Sequence, residues 1–81
     1  MLNTEKANLI LQELYKFRHE ANPLPVKKIC LDANIPTDSE TELMDLAKGL
    51  ENEGYANLRL VAFKPFLRIT PNGINYVESN N

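Results

Sequence analysis

Up to Leu50 the apolar residues of this chain recur every three or four positions; from Leu58 onward they alternate. The first spacing draws a stripe along a helix and the second draws one face of a strand. A chain that switches in this way places its helices first and its sheet after them, so the expected class is α+β, mainly helical. Its 81 residues suffice for a single domain spanning 1–81. A chain this short buries roughly 60–65% of its unfolded surface, which leaves a thin core.

The first helix is predicted over 4–21, with Thr4 as its cap, Ala7, Ile10, Leu11, Leu14, Phe17 and Ala21 inward, and Asn22-Pro23 as its stop. Gln12, Glu13, Lys16, His19 and Glu20 face away from that stripe. A second helix is predicted over 25–34, opened by Pro25 at its first position and buried through Val26, Ile29, Cys30 and Ala33. The third, over 38–53, has two possible capping boxes, Thr37 with Glu40 and Ser39 with Glu42. Leu43, Leu46, Ala47 and Leu50 form its buried stripe, and Gly54 stands where a left-handed cap belongs.

The run LRLVAF-KP-FLRIT reads as a hairpin over 58–70. With Lys64-Pro65 as the loop, 63 pairs with 66 and 61 with 68. Leu60, Ala62, Leu67 and Ile69 then share the inner face, while Arg59, Val61, Phe63, Phe66, Arg68 and Thr70 share the outer one. Pro65 fits poorly in the mirror-image turns that two-residue loops prefer, so a wider turn is the alternative. Thr70-Pro71 opens a last helix over 71–79, with Ile74 and Val77 on one side; residues 79–81 are expected to fray.

Chemistry is bounded by inventory. One His, one Cys and two Ser are too few for a nucleophilic triad or a four-ligand zinc site, so no enzyme, metal or cofactor is expected. His19 reads as a surface residue and Cys30 as a small core hydrophobe. Gly49, Gly54 and Gly73 are too scattered for a phosphate-cradling loop. No small-molecule substrate is implied. The opening MLNTEKAN does not resemble a secretory signal, no apolar run approaches the ~20 residues of a membrane span, and the lone cysteine suits a reducing, cytoplasmic setting.

The net charge of −2 is small but polarised: residues 37–53 carry six acids and one lysine, for −5, while 54–81 total +2. The acidic segment DSETE lacks the glycine and ligand spacing of a calcium loop.

Two stretches carry a family resemblance. LAKGLENEGY (46–55) is similar to the close of a third winged helix, and ITPNGINYVE (69–78) resembles the Thr-x-x-Gly-x-x-Tyr ending of small prokaryotic winged-helix proteins. Residues 37–78 also resemble the YjcQ-like, phage-associated members of that class, whose third helix is likewise acidic. The resemblance implies a winged helix-turn-helix: three helices, a two-stranded hairpin wing and a short C-terminal helix. Such proteins usually lay the third helix in the major groove of DNA.

Here that role would fall on Thr41, Glu42, Asp45, Lys48 and Asn52, where carboxylates oppose phosphate binding. A like-charge pair at ~4 Å costs about 1 kcal/mol in water and about 4 near a protein surface. Asp38 and Glu40 are explained by the helix dipole, Glu42 and Asp45 less so. On the outer wing, Arg59, Val61, Phe63, Phe66 and Arg68 have the mixture typical of an interface core. The bland alternative is that the terminal helix or residues 1–3 cover that face. The expectation is therefore a non-enzymatic interaction module working through protein contacts, its acidic third helix free to meet a basic partner, with a homodimer through the outer wing as one form. The alternative is a DNA-binding transcriptional regulator using Lys27, Lys28, Arg59, Lys64 and Arg68.

Overall fold

The computed structural model describes residues 4–79. It contains α1 (Thr4–Lys16), β1 (Leu24–Pro25), α2 (Val26–Asp32), α3 (Glu40–Asn52), β2 (Ala56–Val61), β3 (Lys64–Ile69) and α4 (Pro71–Ser79). The class is α+β and mainly helical. The sheet has three antiparallel strands in the order β1-β3-β2, not the two strands of the predicted hairpin. The added strand comes from Leu24-Pro25, which pair with Leu67 and Phe66.

Each helix ends where local chemistry stops it. α1 closes at Lys16 rather than 21, because Phe17 and Arg18 bond back three residues and the Arg18 guanidinium donates to the Tyr15 carbonyl at 3.0 Å. That carbonyl is one of the orphans at a helix end, and its capture ends the helix. Phe17 and Ala21, assigned to the core, consequently lie in the exposed turn beyond it. Thr4, expected as the cap, is the first helical residue.

α2 starts one residue late, since Pro25 keeps extended geometry in β1. It stops at Asp32, leaving Ala33 half-buried; Asn34 adopts a left-handed φ of 57° and the Ile35 N–H reaches the Cys30 carbonyl at 2.8 Å. The same close recurs on α3, where Gly54 has φ 78° and the Tyr55 N–H reaches the Leu50 carbonyl at 3.1 Å. Of the two capping boxes, Ser39 is the cap in use, its hydroxyl accepting from the Glu42 N–H, and Thr37 is not. The predicted start at 38 therefore moves to Glu40.

The hairpin turns at Ala62-Phe63, not at Lys64-Pro65, with φ of 51° and 65°. Proline holds φ near −65°, so Pro65 is barred from a mirror-image turn. Pairs in an antiparallel ladder alternate between those that exchange hydrogen bonds and those that do not. With Val61↔Lys64 closing the turn, Leu60↔Pro65 is of the second kind, and the donor that proline lacks is not needed by β2. The register moved by two residues on each strand, an even step. Leu60, Leu67 and Ile69 therefore stay on one face and Arg59, Val61, Phe66 and Arg68 on the other.

The core joins Ile10, Leu11 and Leu14 of α1, Val26 and Ile29 of α2, Leu43, Leu46, Ala47 and Leu50 of α3, and Leu67 and Ile69 of β3. α4 is tied in by a compact clamp. The Thr70 hydroxyl donates to the Gly54 carbonyl at 2.6 Å and accepts from the Gly73 N–H at 3.1 Å. Tyr76 stacks on Tyr55 with ring centroids 4.5 Å apart. The Thr-x-x-Gly-x-x-Tyr stretch thus fastens α4 to the end of α3. Ser79 closes α4, while the rest of the predicted fraying end lies outside the described residues.

Candidate interaction surface

Glu42 does not face outward from α3; it is half-buried and turned toward α1. One carboxylate oxygen meets the Lys6 ammonium at 3.0 Å and the other accepts from the Asp38 N–H at 2.9 Å. The lysine first, and then the backbone donor, hold this carboxyl below the usual carboxylate range. A depressed folded value stabilises the fold above the unfolded value of 4.5, and that contribution is lost as pH falls through the folded one. Glu42→Gln is expected to lower Tm at pH 7 and to converge on wild type as pH falls through the folded value of the Glu42 carboxyl, as read by thermal melts from neutral to acid pH.

Two other acids of this segment are also engaged. Glu40 pairs with Lys64 at 3.2 Å and Glu51 accepts from the Leu58 N–H. Thr41, Asp45, Lys48 and Asn52 are exposed on α3. The outward face is less anionic than the linear charge count implied, because the partners of Glu40 and Glu42 come from distant parts of the chain.

The outer hairpin face differs from the expected one. Phe63 does not sit in the ladder opposite Phe66; it occupies the turn and is 94% exposed. Phe66 is half-buried and pairs with Arg59 on one side and Pro25 on the other. Val61 and Leu60 beside the turn are exposed as well. α4 packs against α1 and β3 and leaves Val61 and Phe63 open. Covering by residues 1–3 lies outside the described residues.

The predicted contact residues divide between two depressions. Lys27, Lys28, Lys64 and Phe66 meet Pro25, Leu31, Glu40, Leu43 and Pro65 around a groove of about 390 Å³. Arg59 and Arg68 instead border a polar cleft with Glu51, Asn57 and the segment 21–23. Leu43 and Pro65 read from sequence as helix core and hairpin loop, not as contact residues. The sign of Leu31 is only that it is a leucine off the apolar stripe of α2, where it is exposed.

His19 is exposed, and Cys30 is a buried free thiol whose pKa is pushed up, chiefly by burial and then by the Glu42 charge. Among the described residues no group of three or more His, Cys, Asp or Glu is placed to hold a metal ion. No helix among them is long and apolar enough to cross a membrane. No family model, curated protein or solved structure matches this chain.

Proposed function

We propose that the chain is a winged-helix module that works without catalysis, by contact with other proteins through its hairpin, with self-association as one form of that contact. The observation that carries this reading is Phe63: an aromatic ring 94% exposed on a backbone at φ 65°. A left-handed conformation costs a non-glycine residue about 1–2 kcal/mol. Two-residue mirror-image turns usually take Asn-Gly, and Ala62-Phe63 spends that stability to hold a ring in water at the tip of a rigid hairpin. Strain kept at an exposed aromatic is a mark of a contact site.

The test is sedimentation of wild type against Phe63→Asp. Concentration-dependent association that the aspartate abolishes supports the self-contact form, and a monomer at high concentration removes it. Replacing the turn, Ala62→Asn with Phe63→Gly, separates stability from function. The pair is expected to raise unfolding free energy by about 1–2 kcal/mol in urea titrations while weakening association.

A second reading, DNA binding in the cytoplasm of a prokaryotic or phage-infected cell, is favoured by the engagement of Glu40 and Glu42 with lysines, which removes part of the repulsion toward phosphate. Titration of labelled random duplex at low salt distinguishes the two. Micromolar affinity that collapses with added salt favours DNA; its absence favours protein contact.

A further inference from the structure

Resting on the protein-contact reading, we infer that the groove between α2, the N-terminal end of α3 and β3 is a docking site for an acidic segment of another protein, seated by one apolar side chain. Its walls are apolar: Leu31, Leu43, Pro65 and Phe66. Leu43 and Pro65 are buried in the fold, but Leu31 is 69% exposed, a wall left open to water. The rim is cationic. Lys27 and Lys28 have no carboxylate within ion-pair distance among the described residues. Lys64 pairs with Glu40 through two exposed side chains, and a pair of that kind is weak enough for an incoming carboxylate to replace Glu40.

These features select the occupant. Duplex DNA satisfies lysines but brings no apolar group to fill the space against Leu31 and Phe66. A second copy brings Phe63, yet Lys64 follows directly and would set cation against cation. A segment carrying Leu or Phe among Asp and Glu meets both demands: the ring or branched chain enters between Leu31 and Phe66, and the carboxylates reach Lys27 and Lys28. Charge complementarity of this kind sets orientation and partner choice as much as affinity.

The experiment uses fluorescence anisotropy with three short labelled peptides: one with a leucine and a phenylalanine among glutamates, one with lysine in place of every glutamate, and one with serine in place of both apolar residues. The first is expected to bind saturably, the other two at least about tenfold more weakly. Lys27→Glu with Lys28→Glu, and separately Leu31→Ser, are expected to weaken the first peptide by about tenfold or more, with circular dichroism and melts confirming the fold. All three positions are exposed, so folding is preserved.

Equal binding of the serine peptide, or unchanged affinity in both groove variants, overturns the assignment. If Phe63→Asp abolishes peptide binding while the groove variants leave it intact, the groove is wrong and contact through the hairpin tip stands. Displacement of the peptide by random duplex at lower concentration, lost in the Lys27→Glu/Lys28→Glu variant, overturns the protein occupant in favour of DNA. A peptide that fails to bind any variant, with a wild type that neither self-associates nor binds duplex, sinks the groove and the contact reading together.

Discussion

Gly73→Ala is expected to destabilise the protein by about 2–3 kcal/mol, lowering Tm by roughly 10–20 °C for a domain of this size. A Cβ at this position would stand 2.1 Å from the Tyr55 carbonyl oxygen and 2.8 Å from Ile69 Cγ1. The carbonyl cannot move away freely, because it also accepts the Thr70 N–H at 3.0 Å. Relief requires α4 to lift from the end of α3, which would loosen the Thr70 bridge and the Tyr55–Tyr76 stack together. Helix propensity alone points the other way, since alanine inside a helix is favoured over glycine by about 1 kcal/mol. The sign of the change therefore decides between crowding and propensity. Gly54→Ala is the comparison: its nearest neighbour is a flexible Asn72 side chain at 3.8 Å, so it bears only the left-handed backbone cost of about 1–2 kcal/mol. Urea unfolding of both variants reads the difference, and a Gly73→Ala protein as stable as wild type would dismiss the clamp.

What could be read from sequence was what depends on near neighbours. Ser39 and Gly54 cap the two ends of α3 through bonds within four residues, and Thr70 caps α4 through the Gly73 N–H, roles that local spacing displays. The Thr70 bond to the Gly54 carbonyl, 16 residues away, is not legible in that way. The faces of the hairpin were legible for a different reason: side chains alternate strictly, so an even slip leaves each on its own side. The turn itself was not, because Lys64-Pro65 looks like punctuation and Ala62-Phe63 does not; the competing rule is that proline cannot enter a mirror-image turn. Glu42 was misread because its partner Lys6 is 36 residues away. The end of α1 was misread because the Arg18 guanidinium takes the Tyr15 carbonyl, a bond that apolar spacing does not display. The groove was invisible for the strongest reason: its walls come from β1, α2, α3 and β3, and no linear pattern joins Leu31 to Phe66. Function suffers more than fold from this, since surfaces are assembled from distant residues while helices are not.

The burial of the hairpin gives the second large effect. Leu67→Ala is expected to cost about 3–5 kcal/mol, toward the upper end of core leucine truncations. Leu67 has no solvent exposure and lies on the central strand, opposite Leu24 of β1 and Leu58 of β2, so neither neighbour can collapse into the space without unpairing a ladder. Domains of this length hold about 4–12 kcal/mol in total, so the loss is enough to leave a measurable unfolded population at 37 °C. Leu60→Ala is the internal control. It removes the same atoms from the same face of the same hairpin, two pairs nearer the turn opposite Pro65, but from a side chain 56% exposed. Its expected cost is below about 1 kcal/mol. Register and burial together make this contrast: had the hairpin closed at Lys64-Pro65, Leu60 would stand two positions farther from the turn, and its truncation would approach that of Leu67. Equal costs for the two leucines in urea titrations would therefore refute the turn at Ala62-Phe63, and with it the placement of Phe63 on which the contact surface depends.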